Sequence, residues 1–378
     1  MTPMRILHLH SSFDRGGKEL RAVRLMNAFG GKVAHDIVSA VPGAHGAASA
    51  VAPGIRVAYP TDFPALAGSP TPGRLRGLAL AMKPYDLVLT YNWGAMDAVM
   101  AHTVFRDVVG LPPLIHHEDG FNEDEIHRLK FTRNWYRRIA LGRASALIVP
   151  SRKLEAVALG PWQQPPGRVH LVANGIDVAA FLRKPRADAL PRIVKRPGEK
   201  WVGTLAGLRP VKNLPRLVRA FAPLPEEWQL VILGEGPEKD AIKEQALASG
   251  IAHRVHLPGF AAEPAKAVGL FDVFALSSDS EQLPIAVIEA MAAGLPVASP
   301  DVGDVKDMVS AENADLICAP GNEAALSAIL MRLATEPALR ERTGAANRVR
   351  ARAAFDEKAM IAAYREIYAK VLGRAAFP

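Results

Sequence analysis

Two carboxylates stand out in residues 280–298, SEQLPIAVIEAMAAGLPVA. Glu281 and Glu289 are separated by seven residues, and the second lies inside an otherwise apolar run. Pro284 suits the first turn of a helix, where its missing N–H costs nothing. Gly294 suits the position just past a helix end. Ile285, Ile288, Ala292 and Leu295 recur at helical spacing and predict one buried stripe. Ala286, Val287 and Ala290 fill the opposite side, so no face is charged. A helix apolar all round is a buried one. Glu289 falls at the edge of the stripe. An unpaired carboxylate there would be costly or would take up a proton. Glu289 therefore needs a partner, either a neighbouring loop or the hydroxyls of a ligand.

Three further stretches have residue types suited to anions. SSDSEQLP (277–284) precedes that helix, with Gln282, Leu283 and Pro284 at its opening. The free N–H groups and positive dipole end of a helix start attract anions. GTLAGLRPVKN (203–213) sets Arg209 and Lys212 after an apolar strand pattern, where two cations suit a diphosphate or form a solvated basic loop. SSFDRGGKEL (11–20) places Gly16 and Gly17 before a helix. Adjacent glycines allow close backbone approach to a phosphate or sugar, or simply make a tight turn. LGEGPE (233–238) lacks the full dinucleotide fingerprint, and no phosphate loop of the G-x-x-x-x-G-K-[ST] type occurs. There is no H-E-x-x-H and no D-x-D, and the adjacent His116 and His117 lack helical metal-ligand spacing, so no metal is assigned.

These stretches need strands and loops to position them. Apolar runs at 5–10, 35–40, 86–91, 113–117, 146–151 and 168–173 read as strands, with helical segments such as 18–29 between them. The alternation implies a parallel sheet. Residues 183–200 are basic and proline-containing and read as a linker. The pattern then restarts with strands at 200–207, 228–236, 254–260, 273–278 and 295–300. A chain of 378 residues exceeds what one core supports, so two α/β domains are expected, at 1–180 and 181–361. Paired α/β domains bind ligand in the cleft between them.

Composition narrows the class. Hydrophobic residues make up 49% and charged residues 22%, as in a globular protein. Cys318 is the only cysteine, so no internal disulfide or cysteine metal cluster can form, in keeping with a cytoplasmic setting. No run approaches a transmembrane span, and the N-terminus is a poor signal peptide. The net charge of +8 suits an acidic partner, whether nucleic acid, phosphorylated ligand or anionic membrane. No nucleic-acid motif accompanies it.

The combination resembles the retaining glycosyltransferases of family 4, also called glycosyl transferases group 1, which have the GT-B fold. The carboxylate pair with AMAAGLPVASPDVGDV (290–305) carries the resemblance, together with LRPVKN (208–213), NGID (174–177), LGEGPE and the early double glycine. The resemblance runs in order from about residue 5 to 370. It implies two Rossmann-like, doubly wound parallel-sheet domains facing a central cleft. It implies transfer of a sugar from a uridine- or guanosine-diphosphate donor to an acceptor hydroxyl, with retention and without a metal. Glu289 would bind the ribose and Glu281 the donor sugar, with Gln282, Leu283 and Pro284 beside it. Arg209 and Lys212 would neutralise the diphosphate, Gly16 and Gly17 would approach it, and Gly259 and Phe260 would face the base. The final helix, about 362–378, would pack back on the first domain. The family points to bacterial exopolysaccharide, lipopolysaccharide or other envelope glycans, with a glycan or lipid-linked acceptor. Two rival readings are a sugar-nucleotide epimerase of the same fold and a non-catalytic sugar-nucleotide-binding protein.

Two departures bear on the site. Gln282 follows the first glutamate where the family often has glycine. In LIHHEDGF (114–121), Asp119 stands where many members have a histidine near the reaction centre. Glu118 and Asp119 then serve the acceptor side, or a short shift makes His117 the match. Finally, residues 127–145 hold His127, Arg128, Lys130, Arg133, Arg137, Arg138 and Arg143 around Trp135 and Tyr136. Such a helix either rests on anionic lipid at the inner membrane face or is a solvated cover for the sheet.

Overall fold

The computed structural model describes residues 3–121, 123–125 and 128–378. The chain forms two units, 1–173 with 359–378 and 174–358. The break falls at 173/174 rather than 180/181, and the chain returns to the first unit at 359. Residues 183–199 are not a free linker. They belong to the second unit, where Leu190 is buried and Lys195 bonds both Asp272 and the carbonyl of Leu270 at 2.6 Å.

In the first unit seven strands form one sheet: β1 (Met4–His10), β2 (Val33–Ser39), β3 (Arg56–Ala58), β4 (Leu87–Tyr91), β5 (Leu114–His117), β6 (Ala146–Val149) and β7 (Val169–Leu171). All pairs are parallel, in the order β3-β2-β1-β4-β5-β6-β7. The second unit has β8 (Lys200–Leu205), β9 (Trp228–Leu233), β10 (Val255–Gly259), β11 (Val273–Ala275), β12 (Val297–Pro300) and β13 (Ile317–Cys318). Their order is β10-β9-β8-β11-β12-β13, again parallel. Each sheet is a Rossmann-like α/β layer covered on both faces, so its central strands are continuous apolar runs. The expected strands all form. β3 and β13 were not expected; they are edge strands of three and two residues, too short for a pattern to register.

β1 shows how one strand serves two cores. Leu7 and Leu9 join one cluster, with Val88, Val99 and Leu147. Met4 and Ile6 join the other, with Ile37, Leu89 and the last helix. That helix, Glu357–Val371, buries Met360, Tyr364, Ile367 and Tyr368, which share one face by helical spacing. Arg365 bonds the carbonyls of Ala28 and Pro378, and Phe377 packs edge-on against Phe29, so the tail is tied to the first unit.

The same face of β1 carries His8 and His10. His8 shares one bond with His35 (2.9 Å) and one with Tyr91 (3.2 Å). His10 stacks on Tyr91 at 3.9 Å, and His117 stacks on its own neighbours, Tyr91 and Tyr364. Burial drives His8, His10 and His117 well below the ordinary histidine range, and neighbouring His35, Lys18 and Arg21 respectively add to the effect. Burial brings His35 down to about 4. These histidines are neutral when folded and would protonate near pH 6.5 when unfolded. Their contribution to stability is complete above pH 6.5 and lost as pH falls towards the folded values, by up to about 1.4 kcal/mol per pH unit for each. Urea midpoints should therefore drop steeply between pH 7 and pH 5; a midpoint flat over that interval would contradict the neutral cluster.

Candidate functional site

In a doubly wound sheet the loops part where the strand order reverses, and that opening lies at the carboxyl ends of the strands. In the second unit the reversal falls between β8 and β11. The loop after β8 carries Arg209 and Lys212, and the loop after β11 carries Ser278, Asp279 and Glu281. Adjacent strands bring these loops together across 69 residues of sequence. Lys212 Nζ lies 2.5 Å from Glu281 Oε1, and Ser278 Oγ donates to the same oxygen at 2.7 Å. The loops are knitted further. Asp279 N donates to Val211 O at 2.9 Å, Ser277 Oγ to Lys212 O at 2.9 Å, and Arg216 pairs with Asp279 at 2.6 Å. Arg209 is exposed, and its guanidinium makes no ion pair or hydrogen bond among the described residues. Both bonds to Glu281 fall on Oε1, so its Oε2 makes none with described residues.

Two glycine sites permit this packing. A Cβ on Gly234 or Gly236 would lie 1.8 Å from Ala206 O or 2.4 Å from Leu208 O, and both glycines have positive φ. The loop after β9 thus packs directly against Ala206 and Leu208, at the start of the loop that carries Arg209. A Cβ on Gly303, φ +58°, would lie 2.3 Å from Gln282 O. That carbonyl accepts Asp304 N at 2.8 Å, which fixes the backbone beside Glu281. Gly259 ends β10, its carbonyl accepts Gly234 N at 2.9 Å, and Phe260 beyond it is exposed.

The expected helix forms as Ile285–Ala292, with Pro284 at its N-cap and Gly294 just beyond its end at φ +79°. Leu283 is buried at its start. From Val287 onward every residue of the helix is buried, Glu289 included, while Ile285 at the first turn is only partly covered. NGID is engaged within the second unit, where Ile176 bridges Asp356 and Asp177 caps the turn Val178–Leu182.

In the first unit the strand order reverses between β1 and β4. Gly16 is the N-cap of the helix Gly17–Phe29 that follows β1. This helix also supplies Glu19 and Arg21. Arg21 is buried and grips Asp119 in a fork, at 2.5 and 2.9 Å. Burial disfavours its charge, but Asp119 more than offsets that and its pKa rises. Asp119 N is held by Asn92 Oδ1 at 2.8 Å. Glu19 is buried beside Lys18, and burial raises its carboxyl despite that cation. Sequence inspection missed Asn92, Glu19 and Arg21. Asn92 could have been found from its place directly after β4, and Glu19 and Arg21 from theirs in the first two turns of the helix behind the double glycine.

His117 and Glu118 lie deeper. His117 bonds Thr90 O (3.3 Å) and Tyr368 OH (3.2 Å) and is buried. His116 bonds Thr90 Oγ1 at 2.8 Å. Glu118 is fully buried, with Arg137 Nε at 3.3 Å and His116 Nε2 at 3.7 Å. Neither His117 nor Glu118 presents an atom to solvent that a substrate could meet; of the three, only Asp119 is partly exposed.

The basic segment also differs from expectation. His127 lies outside the described residues. The helix is Phe131–Ala140. Arg137 is fully buried among Trp93, Phe121 and Trp162 and pairs with Glu118 and Glu125. Arg133 and Lys130 are paired with Asp124. Burial opposes the charge on Glu125, but Arg133 and Arg137 outweigh it and lower its pKa. Beside Thr132, the helix exposes three large apolar side chains: Phe131 at 74%, Trp135 at 47% and Ile139 at 52%. No helix among the described residues is long and apolar enough to cross a membrane.

Arg137→Met would leave two carboxylates without their buried cation. The expected loss is about 3–5 kcal/mol, read from urea unfolding beside Arg138→Ala, which should stay within about 0.5 kcal/mol of the native protein. Equal stability of the two variants would remove the structural role given to Arg137.

Comparison with known proteins gives the family and the fold. Residues 186–350 match the family model described as glycosyl transferases group 1, and residues 15–180 that of glycosyltransferase family 4. EpsF of Bacillus subtilis, which carries a glycosyltransferase name, is 28% identical over 77% of this chain and 78% of its own. A GDP-mannose-dependent alpha-mannosyltransferase of Mycolicibacterium smegmatis is 34% identical over 48% of this chain and 46% of its own. The crystal structure of Anabaena Alr3699/HepE with UDP superposes with a TM-score of 0.80 at 20% identity, covering 97% of this chain and all of that one. The chain belongs to the family 4 glycosyltransferases and has their GT-B fold.

Proposed function

We propose that this glycosyltransferase moves a sugar from a nucleoside-diphosphate donor to an acceptor hydroxyl with retention at the anomeric carbon. The observation that carries the reading is the Lys212–Glu281–Ser278 cluster at the strand-order reversal, with Arg209 exposed on the same loop as Lys212. Glu281 offers Oε2 to hydroxyls of the donor sugar, while Lys212 fixes its position through Oε1. Arg209 and Lys212 face the diphosphate. As the bond from the diphosphate to the anomeric carbon breaks and the acceptor oxygen bonds that carbon, negative charge grows on the diphosphate, and an oxygen of the departing diphosphate takes the proton of the acceptor hydroxyl. Cations already in place stabilise that charge without reorganising. They can take the part a divalent metal plays in other transferases. Glu289 receives the ribose hydroxyls, and Gln282 to Pro284, Gly259 and Phe260 border the donor. Within the first unit, Gly16, Gly17 and Asp119 are the candidate binding groups, with Asp119 set by Arg21 and Asn92.

Uridine and guanosine donors are both candidates, since relatives and structural neighbours are named for GDP-mannose and UDP. The acceptor is a glycan or lipid-linked glycan of the bacterial envelope, met at the cytoplasmic membrane face. The exposed row Phe131, Trp135 and Ile139, with Arg138 over the Trp135 ring at 5.0 Å, supports shallow contact with anionic lipid. The contact rests on this row rather than on Arg133 and Arg137, which are already paired.

Thermal unfolding with a panel of nucleoside diphosphates and nucleotide sugars tests the donor site. One base should stabilise the native protein, and Glu289→Ala should abolish the shift. The absence of any shift in folded protein would overturn the donor site. With the donor known, Lys212→Met should lower kcat by about 100-fold or more, and EDTA should leave turnover intact. An α-linked donor should give an α-linked product by proton NMR; a β-linked product would exclude retention. For the membrane contact, Trp135→Ser with Ile139→Ser should abolish sedimentation with phosphatidylglycerol vesicles, and unchanged sedimentation would refute it.

A further inference from the structure

A second charged site lies in the first unit at the opposite, amino-terminal edge of its sheet. Residues 142–145 lead into β6 and Arg168 leads into β7. There Arg106, Arg143 and Arg168 line an open pocket of about 480 Å³, with Gly142, Ala144 and Ser145. The volume lies within the range of small-ligand clefts.

The three guanidiniums are held in place more than they are neutralised. Arg106 Nη1 donates to Arg143 O at 3.1 Å, and Arg168 Nη1 donates to Gly142 O at 2.7 Å and Ala144 O at 3.4 Å. Their one carboxylate partner among the described residues is Asp107, 2.7 Å from Arg143 and mostly exposed. Carbonyls at a helix end attract cations. Capping accounts for one or two such contacts. It does not account for three like charges gathered round one pocket, where their mutual repulsion is a cost. Their field reaches the interior: burial is the main cause that brings His102 down to about 4, and Arg106 and Arg143 add to it.

We propose that this pocket binds a phosphate monoester. The anchored nitrogens leave the remaining N–H groups of each fork for an anion, and planar forks match phosphate oxygens in pairs. A dianion would offset two of the three charges. The phosphate belongs either to a lipid headgroup or to a soluble phosphorylated ligand.

Inorganic phosphate is the first probe, followed by thermal unfolding. Lys212→Ala is used beside the native protein so that phosphate in the donor region does not dominate. Saturable stabilisation should persist in Lys212→Ala. It should weaken at least about tenfold in Arg143→Gln with Arg168→Gln, and Arg143→Lys should restore part of it. Arg143 is half exposed and its carboxylate partner is on the surface, so Arg143→Gln alone serves if the double variant fails to fold. Vesicles of phosphatidic acid in phosphatidylcholine, compared with phosphatidylcholine alone, separate the sources. Arg143-dependent sedimentation assigns the site to a headgroup, and phosphate binding without sedimentation assigns it to a soluble ligand. No saturable response in Lys212→Ala, or the same response in Arg143→Gln, would overturn the site.

Discussion

The ion pair between Lys212 and Glu281 exists because β8 and β11 are neighbours in a sheet while far apart in sequence. Parallel strands need crossover connections, and each crossover carries the next loop to the same edge. Where the strand order reverses, two loops leave in opposite directions and the space between them stays open. The second unit fills the margins of that space with backbone. Gly234 and Gly236 let the β9 loop pass under the β8 loop, and Gly303 lets the 301–304 turn touch Gln282. The glycines of the motifs are thus spacers for loop packing, and the charged residues stand on the frame they make.

The first unit solves the same topology with different chemistry. Tyr91 ends β4 and sits within a stack of His10 and His117, closed by Tyr364 from the last helix. This places neutral imidazoles under the strand ends, where other folds have aliphatic side chains. Above them, Arg21 and Asn92 converge on Asp119 from two other segments. A carboxylate held from two sides has a set direction, which is the kind of preorganisation a binding group needs.

The surplus of positive charge is distributed unevenly. Arg133 and Arg137 are consumed by Asp124, Glu125 and Glu118 around a cluster of aromatic rings. Arg209, by contrast, is exposed and has no anionic partner among the described residues, and of the arginines at the far edge of the first sheet only Arg143 has a carboxylate partner among them, Asp107. Net charge alone could not separate these cases. A buried cation beside a carboxylate serves the fold, while an exposed cation beside a pocket is available to a ligand.

Much of this protein is determined by its sequence alone. Alternating apolar runs define two parallel-sheet units because strand and helix periods differ and buried strands carry few polar residues. Glu281, the RPVK stretch and the glycine motifs were legible because they lie in or beside the loops that follow strands, and Glu289 because it is the one charge in an apolar helical run. What only the tertiary structure decided is which charges meet. Glu118 and Arg137 are distant in sequence, and nothing local indicates that both are buried together. Asp119 and His117 are two residues apart and would share a face if the strand continued, but β5 ends at His117 and the chain beyond it sends Asp119 to Arg21 while His117 meets Tyr368. The return of the chain at 359 is likewise a matter of packing, since an amphipathic helix shows a face without naming the sheet that will cover it.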